Sequence, residues 1–259
     1  MSTLLLKGSP IGKIKGILLD KDGTLSNSEN HLITLGSLRL SQAINLFESN
    51  KRENNKATFK LKQLLSITYG LTPEGLHPNS TLAVASREDN LISTASIFCL
   101  LGEGWPNAIA LATEIFHQAD EIYSETQKGM VQCPLLPGFL SFFRELKNAG
   151  ITCALISNDN NKGIESFLQK NNLAQEITYY WSCESKPSKP NPGAVYELCK
   201  IIKLEPKDCA LIGDANSDLL MAQKAGVKLA LGYTGGWQIP PSLKYQHHLV
   251  QHWDELSIA

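Results

Sequence analysis

Short apolar runs alternate with amphipathic stretches at both ends of this chain and give way to helical spacing in between. Residues 14–20, IKGILLD, are apolar on both faces and end on an acid, which predicts a buried strand. A second such run is 151–157, ITCALIS, preceded by an amphipathic stretch over 138–148 that closes on Gly150. The third, 209–214 or CALIGD, enters from a predicted helix at 192–202 and leaves into another at 217–225, closed by Gly226. A shorter fourth run covers 227–231. Strands alternating with helices predict an α/β fold, a doubly wound, mostly parallel sheet. Ligands of such sheets sit beyond the carboxyl ends of the strands. Asp20, Ser157 and Asp214 each occupy that end of their own run.

Between the first and second strands the pattern changes. Apolar residues recur at helical spacing over 32–47, 58–67, 91–101 and 108–122, with Gly102, Gly104 and Pro106 as breakers before the last. Residues 73–78, PEGLHP, are turn chemistry. More than a hundred residues cannot be a loop inside a compact domain. The pattern therefore predicts a discontinuous core over 1–26 and 134–259, interrupted by an inserted α-helical domain over 27–133. From Gly235 onward the chain is poorly periodic and predicts no element.

Composition narrows the classes. The 259 residues are 42% hydrophobic and 19% charged, with a formal net charge of -1. That balance supplies no global field towards nucleic acid or an acidic membrane, so neither is expected as a partner. No apolar run approaches the roughly 20 residues of a spanning helix, and the first residues lack a leader pattern. A cytoplasmic protein is expected, as a monomer or small homo-oligomer. The six cysteines are widely spaced without a CxxC pair and are read as reduced thiols. His247, His248 and His252 crowd one segment without a partner acid or cysteine at ligand spacing, and read as polar surface. Arg87 and Glu88 read as a solvated charge pair by default, with a place facing the substrate as the alternative, and Trp105 and Trp237 as packing residues.

Chemistry concentrates where the strands end. In Asp20-Lys21-Asp22-Gly23-Thr24 two carboxylates stand two residues apart, and Gly23 lets the backbone fold back. Such a pair suits a hard cation, or a division between attack and proton transfer. The same residues also suit a polar turn after a strand. Asp214 and Asp218, in GDANSD, form a second acidic pair, with Asn216 or Ser217 also suited to cap the following helix. Ser157 and Asn158 offer neutral donors for phosphate oxygens at a strand-to-helix junction. Lys189, in a proline-punctuated loop, supplies an ammonium that could balance a phosphate, or a plain surface lysine.

Taken in order, these motifs resemble the haloacid dehalogenase superfamily of phosphohydrolases. The resemblance rests on DKDGT at 20–24, Ser157, Lys189-Pro190, and Gly213-Asp214 with Asp218, and covers about residues 11–26 and 134–235. The insertion looks like the helical cap of the phosphoglycolate phosphatase-like branch. The resemblance implies a Rossmann-like core and a Mg2+-dependent phosphatase acting on a small phosphorylated metabolite, phosphoglycolate or a sugar phosphate. It implies Asp20 as nucleophile, forming an aspartyl phosphate, and Asp22 as acid and base. Mg2+ would be held by Asp20, the Asp22 carbonyl, Asp214 and Asp218, with phosphate positioned by Thr24, Ser157, Asn158 and Lys189. A phosphomutase sharing the whole core is the alternative, and a phospho-ligand-binding protein without turnover is a second one.

Overall fold

The structure, a computed structural model, describes residues 1–50, 55–126 and 133–259. Residues 51–54 and 127–132 of the predicted insertion lie outside the described residues. In chain order come β1 (Ser2–Leu6), β2 (Ser9–Ile14) and β3 (Gly16–Leu19). Then follow α1 (Glu29–Asn50), α2 (Asn55–Tyr69), β4 (Leu71–Thr72), β5 (Gly75–Leu76), α3 (Thr81–Val84), α4 (Arg87–Leu100) and α5 (Trp105–Thr126). Next are α6 (Phe139–Asn148), β6 (Thr152–Ile156), α7 (Asn161–Lys170), β7 (Tyr179–Trp181) and α8 (Pro192–Ile201). The last elements are β8 (Cys209–Gly213), α9 (Asn216–Lys224), β9 (Leu229–Tyr233), β10 (His248–Val250) and β11 (Leu256–Ile258). Two compact units emerge: Met1–Ser28 with Cys133–Ala259, and Glu29–Gln132.

The first unit is a doubly wound α/β fold. Its six-stranded sheet has the order β10-β9-β8-β3-β6-β7, and every pairing in it is parallel. The strands are apolar on both faces because helices cover both faces. Side chains alternate between two core layers: Ile17, Leu19, Leu155 and Ile212 join Phe139, Phe142, Ile164 and Phe167 on one side. Leu18, Ala154, Ile156 and Leu211 join Val195, Leu198, Leu219 and Met221 on the other. From central β3 the chain continues to β6 and β7 on one side, then returns to β8 and β9 on the other. Chain direction thus switches at the carboxyl end of β3, where this class of sheet binds ligands.

Several boundaries differ from the sequence reading. The run over 14–20 holds the last residue of β2 and the whole of β3, because Ile14 closes β2 in a separate antiparallel sheet, β11-β1-β2. Val227 falls outside β9, since its N–H closes α9 on the Ala222 carbonyl at 3.0 Å. Beyond Gly235, where no element was predicted, β10 pairs with β9 and β11 with β1. Three-residue strands are too short to show a period, and β11 takes its partner from the other end of the chain.

The insertion's two ends run side by side within the first unit. Leu136 N–H donates to Leu25 O and Asn27 N–H to Pro134 O, each at 2.8 Å. Among the described residues, the elements of the second unit are helices apart from the β4–β5 hairpin, which forms at the predicted turn. Ala108, Ala112, Ile115 and Ala119 make one buried face of α5, whose small side chains let neighbouring helices approach. The buried Arg39 guanidinium stacks 3.9 Å from the Phe116 ring centroid. Arg87 pairs with Asp120 at 2.6 Å, so its partner is not the neighbouring Glu88. Among the described residues no helix is long and apolar enough to cross a membrane.

Candidate active site

The parallel register sets the depth of each motif. Leu19 lies level with Leu155 on one side and Ile212 on the other, so Asp20, Ser157 and Asp214 emerge together at one edge. Asp20 N–H still donates to Ile212 O at 3.0 Å, and the chain then turns sharply. Lys21 O accepts from Leu25 N–H and Ser26 N–H, both at 2.9 Å. Gly23 takes φ +74°, in the left-handed region, and a Cβ there would lie 2.4 Å from the Trp237 indole. Glycine is therefore required twice over at this position.

Buried charge surrounds that turn. Lys189 Nζ lies 2.6 Å from Asp20 Oδ1 and 2.7 Å from Asp218 Oδ1, and donates to Ile156 O at 3.3 Å. Asp214 accepts from Thr24 Oγ1 at 2.9 Å through Oδ1 and from Trp237 Nε1 at 2.6 Å through Oδ2. Oxygens of Asp20, Asp214 and Asp218 all lie within 4.8 Å of one another, and all three residues are buried. Burial pushes the Asp20 carboxyl up to about 6 despite Lys189, and the Asp218 charge adds to the rise. Burial, then Asp20 and Asp218, hold Asp214 well above the usual carboxylate range. Burial disfavours the Lys189 ammonium, but Asp20 and Asp218 outweigh it and raise its pKa.

Three carboxylates facing one ammonium leave an excess of buried negative charge, which is costly unless a cation balances it. The donors are all carboxylate oxygens, which suits a hard divalent cation such as Mg2+. Asp22 stands apart from this cluster. Its carboxylate oxygens lie 2.8 Å from Lys21 Nζ, which also pairs with Asp159 at 3.1 Å. Ser157 Oγ accepts from Asp159 N–H at 3.1 Å, and Asn158 follows it, half-buried, past the end of β6.

Side-chain capping of α9 is overturned. Ala215 is its N-cap, with no side-chain hydrogen bond, and the Asn216 amide binds Ser242 O instead. Among the described residues no histidine joins a metal-competent cluster; His247 Nδ1 accepts from Ala230 N–H at 2.9 Å. Three residues of the site escaped sequence reading. Trp237 was taken as packing, and Lys21 and Asp159 were not singled out. A lysine between two strand-end acids was itself a usable signal, because a cation there must find partners.

The sequence matches the haloacid dehalogenase-like hydrolase family over residues 14–226. It is 31% identical over 138 residues to a phosphoglycolate phosphatase of Vibrio vulnificus (strain CMCP6), covering 51% of this chain and 60% of that protein. The chain thus spans under two thirds of that relative's length. Its fold is similar to a predicted phosphoglycolate phosphatase from Haemophilus somnus 129pt, with TM-score 0.66, 20% identity and coverage of 94% and 96%. A subfamily IA hydrolase from Geobacter sulfurreducens PCA gives TM-score 0.55 at 18% identity, with 95% of each chain covered. Asp20, Ser157, Lys189, Asp214 and Asp218 all fall inside the one matched stretch, and the chain belongs to the haloacid dehalogenase-like hydrolase family.

Proposed function

We propose that this protein is a Mg2+-dependent phosphatase that hydrolyses a small phosphorylated metabolite through an aspartyl phosphate on Asp20. The observation that carries the reading is the Asp20 carboxylate, paired with Lys189 and clustered with Asp214 and Asp218 at the switch point of the sheet. In the first step an Asp20 oxygen forms a bond to phosphorus while the ester P–O bond breaks. Asp22 gives its proton to the departing alcohol oxygen. In the second step Asp22 takes a proton from water, the water oxygen bonds to phosphorus, and the P–O bond to Asp20 breaks to free orthophosphate. Lys189 balances charge on Asp20 and the phosphoryl oxygens, and Thr24, Ser157 and Asn158 position the phosphate. Asp20, Asp214, Asp218 and the Asp22 carbonyl would hold Mg2+, which would supply charge neutralisation for the transferring group.

Phosphoglycolate is the first substrate to try, on the strength of the relatives' activity. Residues 27–133 form a separate inserted domain in this reading, and the core on either side carries the reacting groups. Phosphate release from phosphoglycolate and from p-nitrophenyl phosphate tests the proposal. The expected result is release with Mg2+ that stops on adding EDTA. Release that survives complete metal removal would contradict it.

A further inference from the structure

The segment after β9 reads Gly235-Gly236-Trp237, and its glycines have no room for side chains. A Cβ on Gly235 would lie 2.1 Å from Gln251 O, and one on Gly236 would lie 1.7 Å from Gly23 O. The backbone is pressed against the turn that follows Asp20. It delivers a buried tryptophan, whose indole N–H donates to Asp214 Oδ2 at 2.6 Å. Thr24 donates to the other oxygen of the same carboxylate, so both oxygens are held by fixed donors while each keeps a lone pair free. The indole also lies against Gly23, where a Cβ would come within 2.4 Å of it. One side chain therefore touches both acidic motifs, and Gly236 before it lets the backbone approach the turn closely.

We propose that Trp237 is a positioning residue that holds the Asp214 carboxylate in its metal-binding orientation. This rests on the reading of Asp20, Asp214 and Asp218 as magnesium ligands. Outer hydrogen bonds of this kind fix the orientation of a ligand, and their loss costs roughly 10–100-fold in metal affinity. A role in packing alone would lower stability equally with and without metal and leave affinity unchanged.

Trp237→Phe keeps an aromatic ring in place and removes the donor. Titration of metal-free protein with MgCl2 by calorimetry, and with MnCl2 by electron paramagnetic resonance, measures affinity directly. The expected result is binding about tenfold or more weaker in the variant, with metal-free melting temperature nearly unchanged and kcat recovered at saturating Mg2+. Affinity equal to wild type within about twofold would overturn the inference and leave the magnesium site standing. No binding to the wild type would overturn both. If Trp237→Phe does not fold, the wild-type indole N–H resonances answer instead, assigned through Trp105→Phe, Trp181→Phe and Trp253→Phe. The Trp237 resonance is expected to move on adding Mg2+; a resonance that stays fixed while the metal binds overturns the inference.

Discussion

Among the described residues, Lys189 is the cation that pairs with the buried Asp20, Asp214 and Asp218 group, in contact with two of the three. Removing one partner of a buried ion pair leaves uncompensated charge, at a cost of about 3–5 kcal/mol. Lys189→Met should lower unfolding free energy by that order in metal-free protein, and Mg2+ should restore part of it, as urea melts with and without the metal would show. The pH dependence has a definite sign. Asp20 has its carboxyl at about 6 in the folded protein against 3.8 ordinarily, so the folded state holds that proton more readily. Its contribution to stability falls as pH rises from about 4 to about 6 and stays low above. A bound cation relieves that penalty, so Mg2+ should raise the melting temperature more near pH 8 than near pH 5. An equal rise at both would contradict the charge account. The two acidic motifs were legible in sequence because each gathers its carboxylates within a few residues. Trp237 was not, because its partner Asp214 lies 23 positions away and nothing local distinguishes a donor from a packing indole.

Besides Trp237, a second tryptophan ties the C-terminal segment to the turn that follows Asp20. Trp253 is fully buried, its ring stacked on Tyr233 and Phe142 at 5.0 and 5.8 Å and edge-on to Phe139 at 5.1 Å. Its indole N–H donates to Thr24 O at 3.2 Å. Trp253→Ala should therefore cost about 3–5 kcal/mol, measured by chemical denaturation, and a loss below about 1 kcal/mol would show that this cluster is not cohesive. β3, β6, β8 and β9 were readable because each is buried almost throughout and shows an apolar run. β1, β7, β10 and β11 were not, since β1 is mostly half-buried and the other three have three residues each, too few to show a period. The α6 helix, with Phe139, Phe142, Phe143 and Leu146 on one face, was legible from spacing alone.

At the scale of the whole molecule, one sheet brings residues from four separate stretches to a single edge. The parallel register performs this assembly, so a change at either flank of β3 would be felt at the site. Gly23→Ala tests the tightness of that arrangement. A left-handed φ costs a side chain about 1–2 kcal/mol, and the new Cβ would also meet the Trp237 indole. Both stability and phosphate release should fall, and a variant with wild-type turnover would show that the turn has slack the structure does not display. The central claim concerns where the phosphoryl group rests between the two steps. Acid-quenching the enzyme during turnover, followed by peptide mass spectrometry, measures that directly. The account predicts one phosphoryl group on the peptide carrying Asp20, absent from Asp20→Asn, which should also release no phosphate. Undiminished phosphate release by Asp20→Asn, or a phosphoryl group trapped on any other residue, would contradict it.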